Sequence, residues 1–170
     1  AGTDGTLHWL GLAAAAESPS FLAVHTALDV VYAVGEAART VTAYRRSGGF
    51  GLEAAGRDWP AGDAACHVAV DPQGRFLVVA CWGDGQVLLY ELDGDGGISA
   101  RSAAAASTLA GRPSRAHASL MLDDGRVMTT DLGHDLLRVW NYVPGHGLRL
   151  DHELALPRDS GPRHLVQHPG

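Results

Sequence analysis

The chain has 170 residues, 46% of them apolar and 19% charged, with a formal net charge of −6. That is enough apolar material for a packed core in an ordinary soluble composition. No run or stripe of Lys and Arg supplies the electrostatic footprint of a nucleic-acid partner. No apolar stretch reaches the roughly 18 residues that span a bilayer, so no membrane partner is expected.

In chain order, the first candidate element is Thr6-Leu7-His8-Trp9-Leu10, which reads as the outer strand of a sheet. Ala13 to Ala16 and Ala103 to Ala106 favour helix by propensity, and Ala27 to Tyr44 can be drawn as an amphipathic helix. Propensity is a weak prior, and a repeat overrules it. Phe21-Leu22-Ala23-Val24-His25-Thr26 matches His67-Val68-Ala69-Val70-Asp71-Pro72. His117-Ala118-Ser119-Leu120 and His164-Leu165-Val166-Gln167-His168-Pro169 open in the same way. The starts at 21, 67, 117 and 164 lie 46, 50 and 47 residues apart. Twenty-three residues after its start, each complete unit carries an aromatic: Tyr44, Tyr90 and Trp140.

The second unit shows the pattern of strands most clearly. His67 to Val70 is followed by a turn at Pro72-Gln73-Gly74-Arg75, and then by Phe76 to Cys81. An Asp84-Gly85 hairpin turn leads to Val87 to Leu92, and a glycine-rich turn over 93–97 leads to Ile98 to Ala103. The Asp-Gly pair suits a tight hairpin with positive φ at both central positions, and Asp124-Gly125 plays a related part in the third unit. The second and third strands are nearly continuous in apolar residues, which fits sheets covered on both faces. Four-stranded units repeating every 45–50 residues or so belong to a β-propeller. The expectation is an all-β propeller fragment over residues 1–170, three complete blades with partial ones at both ends, and no second domain. His164 to Gly170 is expected to be the inner strand of a further blade. Because closed rings take about four to eight blades, the chain reads as part of a longer protein.

Several stretches resemble the lactonase family, which includes the propeller-type 6-phosphogluconolactonases of bacteria and the fungal carboxymuconate cyclase. These are Ser18-Pro19-Ser20-Phe21-Leu22-Ala23-Val24-His25, the run from Cys66 to Phe76, Asp131-Leu132-Gly133-His134-Asp135, and Gly161-Pro162-Arg163-His164. The most specific are Gly-Pro-Arg-His and the Asp-Leu-Gly-x-Asp loop. The resemblance implies a seven-bladed propeller with a metal-independent site at the channel mouth, built from a His, an Arg and a Glu, and needing no cofactor. His117 stands at the family's His and Arg163 at its Arg, 46 residues on. The Glu is expected 16 residues beyond Arg163, outside this sequence. Where many members carry Pro-His-Ala-His, this chain has Ser114-Arg115-Ala116-His117.

The repeat adds candidates of its own. Glu36 lies 16 residues after Ser20, the repeat equivalent of Arg163, and should face the channel from another blade. Glu36, His67, Arg115 and His164 are therefore expected to line the substrate site, with His117 and Arg163 as its catalytic pair. Neutral His takes a proton from water near pH 7, and Arg offers a planar donor fork to an oxyanion, carboxylate or phosphate. The expected reaction is hydrolysis of a small-molecule sugar lactone such as 6-phosphogluconolactone. A muconate-type cyclase and a non-catalytic binding platform are the alternatives, since fold alone does not choose among them. A His opens three of the four repeats, so the column also has a structural reading, in which each ring bonds a neighbouring blade. Asp131 and Asp135 read as turn-stabilising side chains. Cys66 and Cys81 are too few for a disulfide framework and lack metal-site spacing, so both read as buried thiols and the cytoplasm as the default compartment. Nothing in the pattern specifies an oligomeric state.

Overall fold

The computed structural model describes residues 3–103 and 111–168. The first repeat supplies β1 (Pro19–Val24), β2 (Val30–Gly35), β3 (Thr40–Ser47), β4 (Gly51–Ala54) and the two-residue β5 (Trp59–Pro60). The second supplies β6 (Ala65–Val70), β7 (Phe76–Cys81), β8 (Val87–Leu92) and β9 (Ile98–Ala103). The third supplies β10 (Ala116–Met121), β11 (Val127–Asp131), β12 (Leu136–Val143) and β13 (Gly147–Ala155). Each repeat is an antiparallel meander in sequence order. In the first blade the outer position is shared, because β4 and β5 pair with different parts of β3.

Strand alternation in the middle blade explains the stacking. Successive side chains on a strand point to opposite faces. Leu77, Val79 and Cys81 of β7, with Leu88 and Tyr90 of β8, pack on Val30, Tyr32, Val34, Val41 and Ala43 of the first blade. Phe76, Val78 and Ala80, with Val87 and Leu89, pack instead on Ala116, Val127, Trp140 and Leu148 of the third. All of β7 is buried, as a strand sandwiched between two neighbours must be. The aromatic column serves the same interfaces. Tyr90 packs edge-on to Trp59 at 6.4 Å and donates its hydroxyl to the Pro60 carbonyl at 2.7 Å. Trp140 spends its indole N–H on Thr129 Oγ1 at 2.9 Å.

The inner strands converge. Ser20 Oγ donates to the Ala65 carbonyl at 3.1 Å, and the Phe21 and His67 rings meet at 4.1 Å. Repeat-equivalent positions of neighbouring blades therefore touch, as they do around a shared axis. No described residue is helical, and no helix is long and apolar enough to cross a membrane. Ala13 to Ala16 and Ala27 to Tyr44 accordingly show no helix, and Ala104 to Ala106 lie outside the described residues.

Three expectations need correction. Thr6 to Leu10 forms no strand, and Trp9 is 85% exposed; no neighbouring strand is available for it to pair with among the described residues. His164 to His168 touches the third blade through His117 and Asp123 but pairs with no strand, and residues 169–170 lie outside the described residues. The Asp84-Gly85 turn takes positive φ at Gly85 alone (71°). Asp84 instead turns its carboxylate to the N–H groups of Asp63, at 2.7 Å, and Gln86, at 3.1 Å.

Candidate functional site

The antiparallel register places the start of each inner strand beside the end of the second: Pro19 faces Gly35, Ala65 faces Cys81 and Ala116 faces Asp131. The loops that leave the second strands thus gather at one end of the arc, around the segment carrying Arg163. At this end each inner strand breaks register with its neighbour, between Pro19 and Phe21, Ala65 and His67, and Ala116 and Ser119. Such bulges re-aim a side chain, and His117 lies inside the third.

His117 and Arg163 meet there. Arg163 donates its Nε–H to His117 Nε2 at 3.1 Å. An accepting Nε2 carries no proton, so the neutral ring is protonated at Nδ1. That atom is buried without a hydrogen-bond partner. His117 is only 8% exposed, and burial, with Arg163 and His164 adding to it, holds its pKa below the ordinary histidine value. His164 sets its ring edge-on to His117 at 5.4 Å. The terminal nitrogens of Arg163 make no hydrogen bond within the described residues.

The other expected site residues divide. Glu36 is half-buried and its charge acts on both His117 and Cys66, so it stands at the same end. His67 is committed between blades, where its Nδ1 accepts the Ser119 backbone N–H at 3.3 Å. Burial, with His164 and His117 adding, pushes its pKa down to about 4. Because an unfolded His67 binds its proton near pH 6.5, it should contribute stability that is present above that pH and lost as pH falls towards 4. Thermal unfolding at stepped pH should show this loss, and His67→Gln should reduce it. Arg115 turns away from the pair. Its guanidinium stacks on Trp82 at 4.6 Å and donates to the Trp82 and Gly83 carbonyls.

The Asp-Leu-Gly-x-Asp loop holds both members of the pair in place. Asp131 accepts from Ser114 Oγ at 2.5 Å and from the Arg115 backbone N–H at 2.9 Å, in the corner that leads to His117. Asp135 accepts the backbone N–H groups of Asp159 and Gly161, both at 2.9 Å, in the corner that leads to Arg163. Gly161, Arg112 and Asp159 together hold the Asp135 carboxyl down at about 2. Gly133 is glycine because a Cβ would run into the Pro113 carbonyl. Both aspartates do more than brace their own turn, since Asp131 fixes the entrance to β10 and Asp135 the corner that leads to Arg163. Trp82, 41% exposed, was missed by sequence reasoning. It lies 16 residues after Cys66, the offset that singles out Glu36. Among the described residues no cluster of three or more His, Cys, Asp or Glu side chains is spaced to hold a metal ion.

Comparison with known proteins gives four results. The profile of the family described as "Lactonase, 7-bladed beta-propeller" matches residues 1–170. A 6-phosphogluconolactonase of Bacillus subtilis (strain 168) is 29% identical over 114 residues, 64% of this chain and 32% of that protein. The crystal structure of a protein from Lactobacillus plantarum superposes with a TM-score of 0.84 at 27% identity, over 96% of this chain and 49% of that one. A periplasmic gluconolactonase of Pseudomonas aeruginosa shares the fold, with a TM-score of 0.65 at 20% identity over 80% of this chain and 40% of its own. The chain thus spans about a third of the curated relative and 40–49% of these two solved structures.

Proposed function

Since this chain belongs to the lactonase family of seven-bladed β-propellers, we propose that it is part of an enzyme that hydrolyses a sugar lactone, with 6-phosphogluconolactone as substrate. The observation that carries the reading is the contact between Arg163 Nε and His117 Nε2 at 3.1 Å. It joins a neutral imidazole to a fixed positive charge at the converging end of the inner strands.

The chemistry follows from that pair. A substrate anion drawn to the terminal nitrogens of Arg163 pulls the guanidinium from His117 and releases the Nε2 lone pair. His117 Nε2 then takes a proton from water as the water oxygen bonds to the lactone carbonyl. The oxyanion that forms is stabilised by Arg163. When the ring C–O bond breaks, His117 returns the proton to the leaving oxygen, giving the open hydroxy acid. Glu36 and His164 line the surrounding rim, while Arg115 and His67 act through packing. A cytoplasmic location belongs to the same proposal, and the unpaired thiols of Cys66 and Cys81 suit a reducing compartment.

The test is acid release by the full-length protein from 6-phosphogluconolactone and from the same lactone without its phosphate. The phosphorylated lactone should turn over faster. Turnover of neither above the buffer rate would favour a binding platform. The pH profile gives a further check. The neutral form of His117 is the active base and its pKa is lowered, so the acid limb of kcat/KM should fall below the ordinary histidine range. An acid limb at or above that range would count against His117 as the base.

A further inference from the structure

We infer that Thr130 is a positioning residue that fixes His117 and Arg163 relative to each other, through one hydroxyl bonded to the backbone at both. The inference rests on the site proposed above. Its starting point is a break in the repeat. Thirteen residues after each repeat start stand Val34, Ala80 and Thr130. Val34 and Ala80 are fully buried apolar side chains in the first two blades, and Thr130 is equally buried at 0% exposure. A hydroxyl placed there costs free energy unless both its donor and acceptor capacities are used.

Both are used. Thr130 Oγ1 accepts the Ala118 backbone N–H at 3.0 Å and donates to the Arg163 carbonyl at 3.2 Å. The Ala118 N–H is available because the ladder breaks register between Ala116 and Ser119. In the second blade the equivalent Val68 stays in register opposite Val79, so no hydroxyl is needed. The break that re-aims His117 thus leaves a donor that Thr130 satisfies, and the same oxygen ties down the residue whose guanidinium reaches His117. Threonine suits the task because its β-branch restricts χ1. Local apolar patterning is set aside at this position, in the complete blade that carries the candidate base, as is common at functional sites.

The test uses full-length protein carrying Thr130→Val, Thr130→Ala or Thr130→Ser. Val and Ala are the residues that the sister blades accommodate at this position, so these variants should fold, and Ser keeps the hydroxyl. Thr130→Val and Thr130→Ala should lower kcat about 10- to 100-fold with little change in KM, since small misplacements of a reacting group cost that much. Thr130→Ser should restore most of the rate. Nitrogen NMR of His117 supplies a readout that does not depend on turnover. The titratable groups around the ring are Arg163, His164, Glu36 and His67, and loosening Arg163 should let its titration rise towards the ordinary histidine value in the Val and Ala variants and return in the Ser variant. Unchanged kcat and an unchanged His117 titration in the Val variant would overturn the inference, even if its melting temperature fell. If the wild type opens no lactone, the proposed function fails, and the titration alone still decides the role of Thr130.

Discussion

Replacing His117 with alanine in the full-length protein is expected to lower kcat for lactone opening by about 10²- to 10⁴-fold, the usual worth of a positioned general base. Arg163→Ala should lower it by about 10²- to 10³-fold, as loss of a donor to a developing oxyanion does. The two residues share a hydrogen bond between Nε and Nε2, so their losses should not add. Removing Arg163 frees the His117 lone pair while taking away the charge that binds the substrate. The double variant should therefore be little slower than the worse single one. Initial rates from a pH-stat, corrected for spontaneous ring opening, measure all three. Wild-type rates in either single variant would remove that residue from the site.

The second large effect concerns stability. Asp131 is wholly buried and accepts from Arg138 Nη1 at 2.7 Å, and Arg138 is itself only 3% exposed. Glu153 takes the Arg138 Nε–H at 2.7 Å from a more open position. Asp131→Ala leaves a buried guanidinium with one of its two carboxylate partners and strips the acceptor from Ser114, Arg115 and His134. Breaking a buried pair from one side costs about 3–5 kcal/mol, and urea unfolding should show a loss of that size. A loss below about 1 kcal/mol, the level of an exposed pair, would mean that the network carries little. Burial alone would raise the Asp131 carboxyl, but Ser114, the Arg115 N–H and Arg138 hold it below the ordinary value. Its contribution is thus present above the unfolded carboxylate pKa and lost as pH falls through the lower folded one.

The fold was legible because a propeller writes its period into the chain. The strands Phe76–Cys81, Val87–Leu92 and Ile98–Ala103 fall where apolar runs and turn residues put them. The aromatic spacing marks side chains that face a preceding blade, as Tyr90 and Trp140 do. The terminal segments misled because Thr6-Leu7-His8-Trp9-Leu10 has the composition of a strand, while a strand also needs a partner, which composition does not contain. The candidate site was legible in part. The repeat and the family resemblance brought forward His117, Arg163 and Glu36, and the structure gathers them at one end. Arg115 was harder, since its stacking on Trp82 depends on the neighbouring blade. Thr130 carries a signal that alignment of the repeats exposes, a hydroxyl where Val34 and Ala80 stand. Its meaning depends on a register break that the sequence does not announce.

The most direct measurement of the whole account is a crystal structure of the full-length protein bound to 6-phosphogluconate. The sugar acid should lie at the mouth where the inner strands begin, with its C1 carboxylate within hydrogen-bond reach of both the terminal nitrogens of Arg163 and His117 Nε2. A ligand held at the opposite end of the axis, or one touching neither side chain, would contradict it.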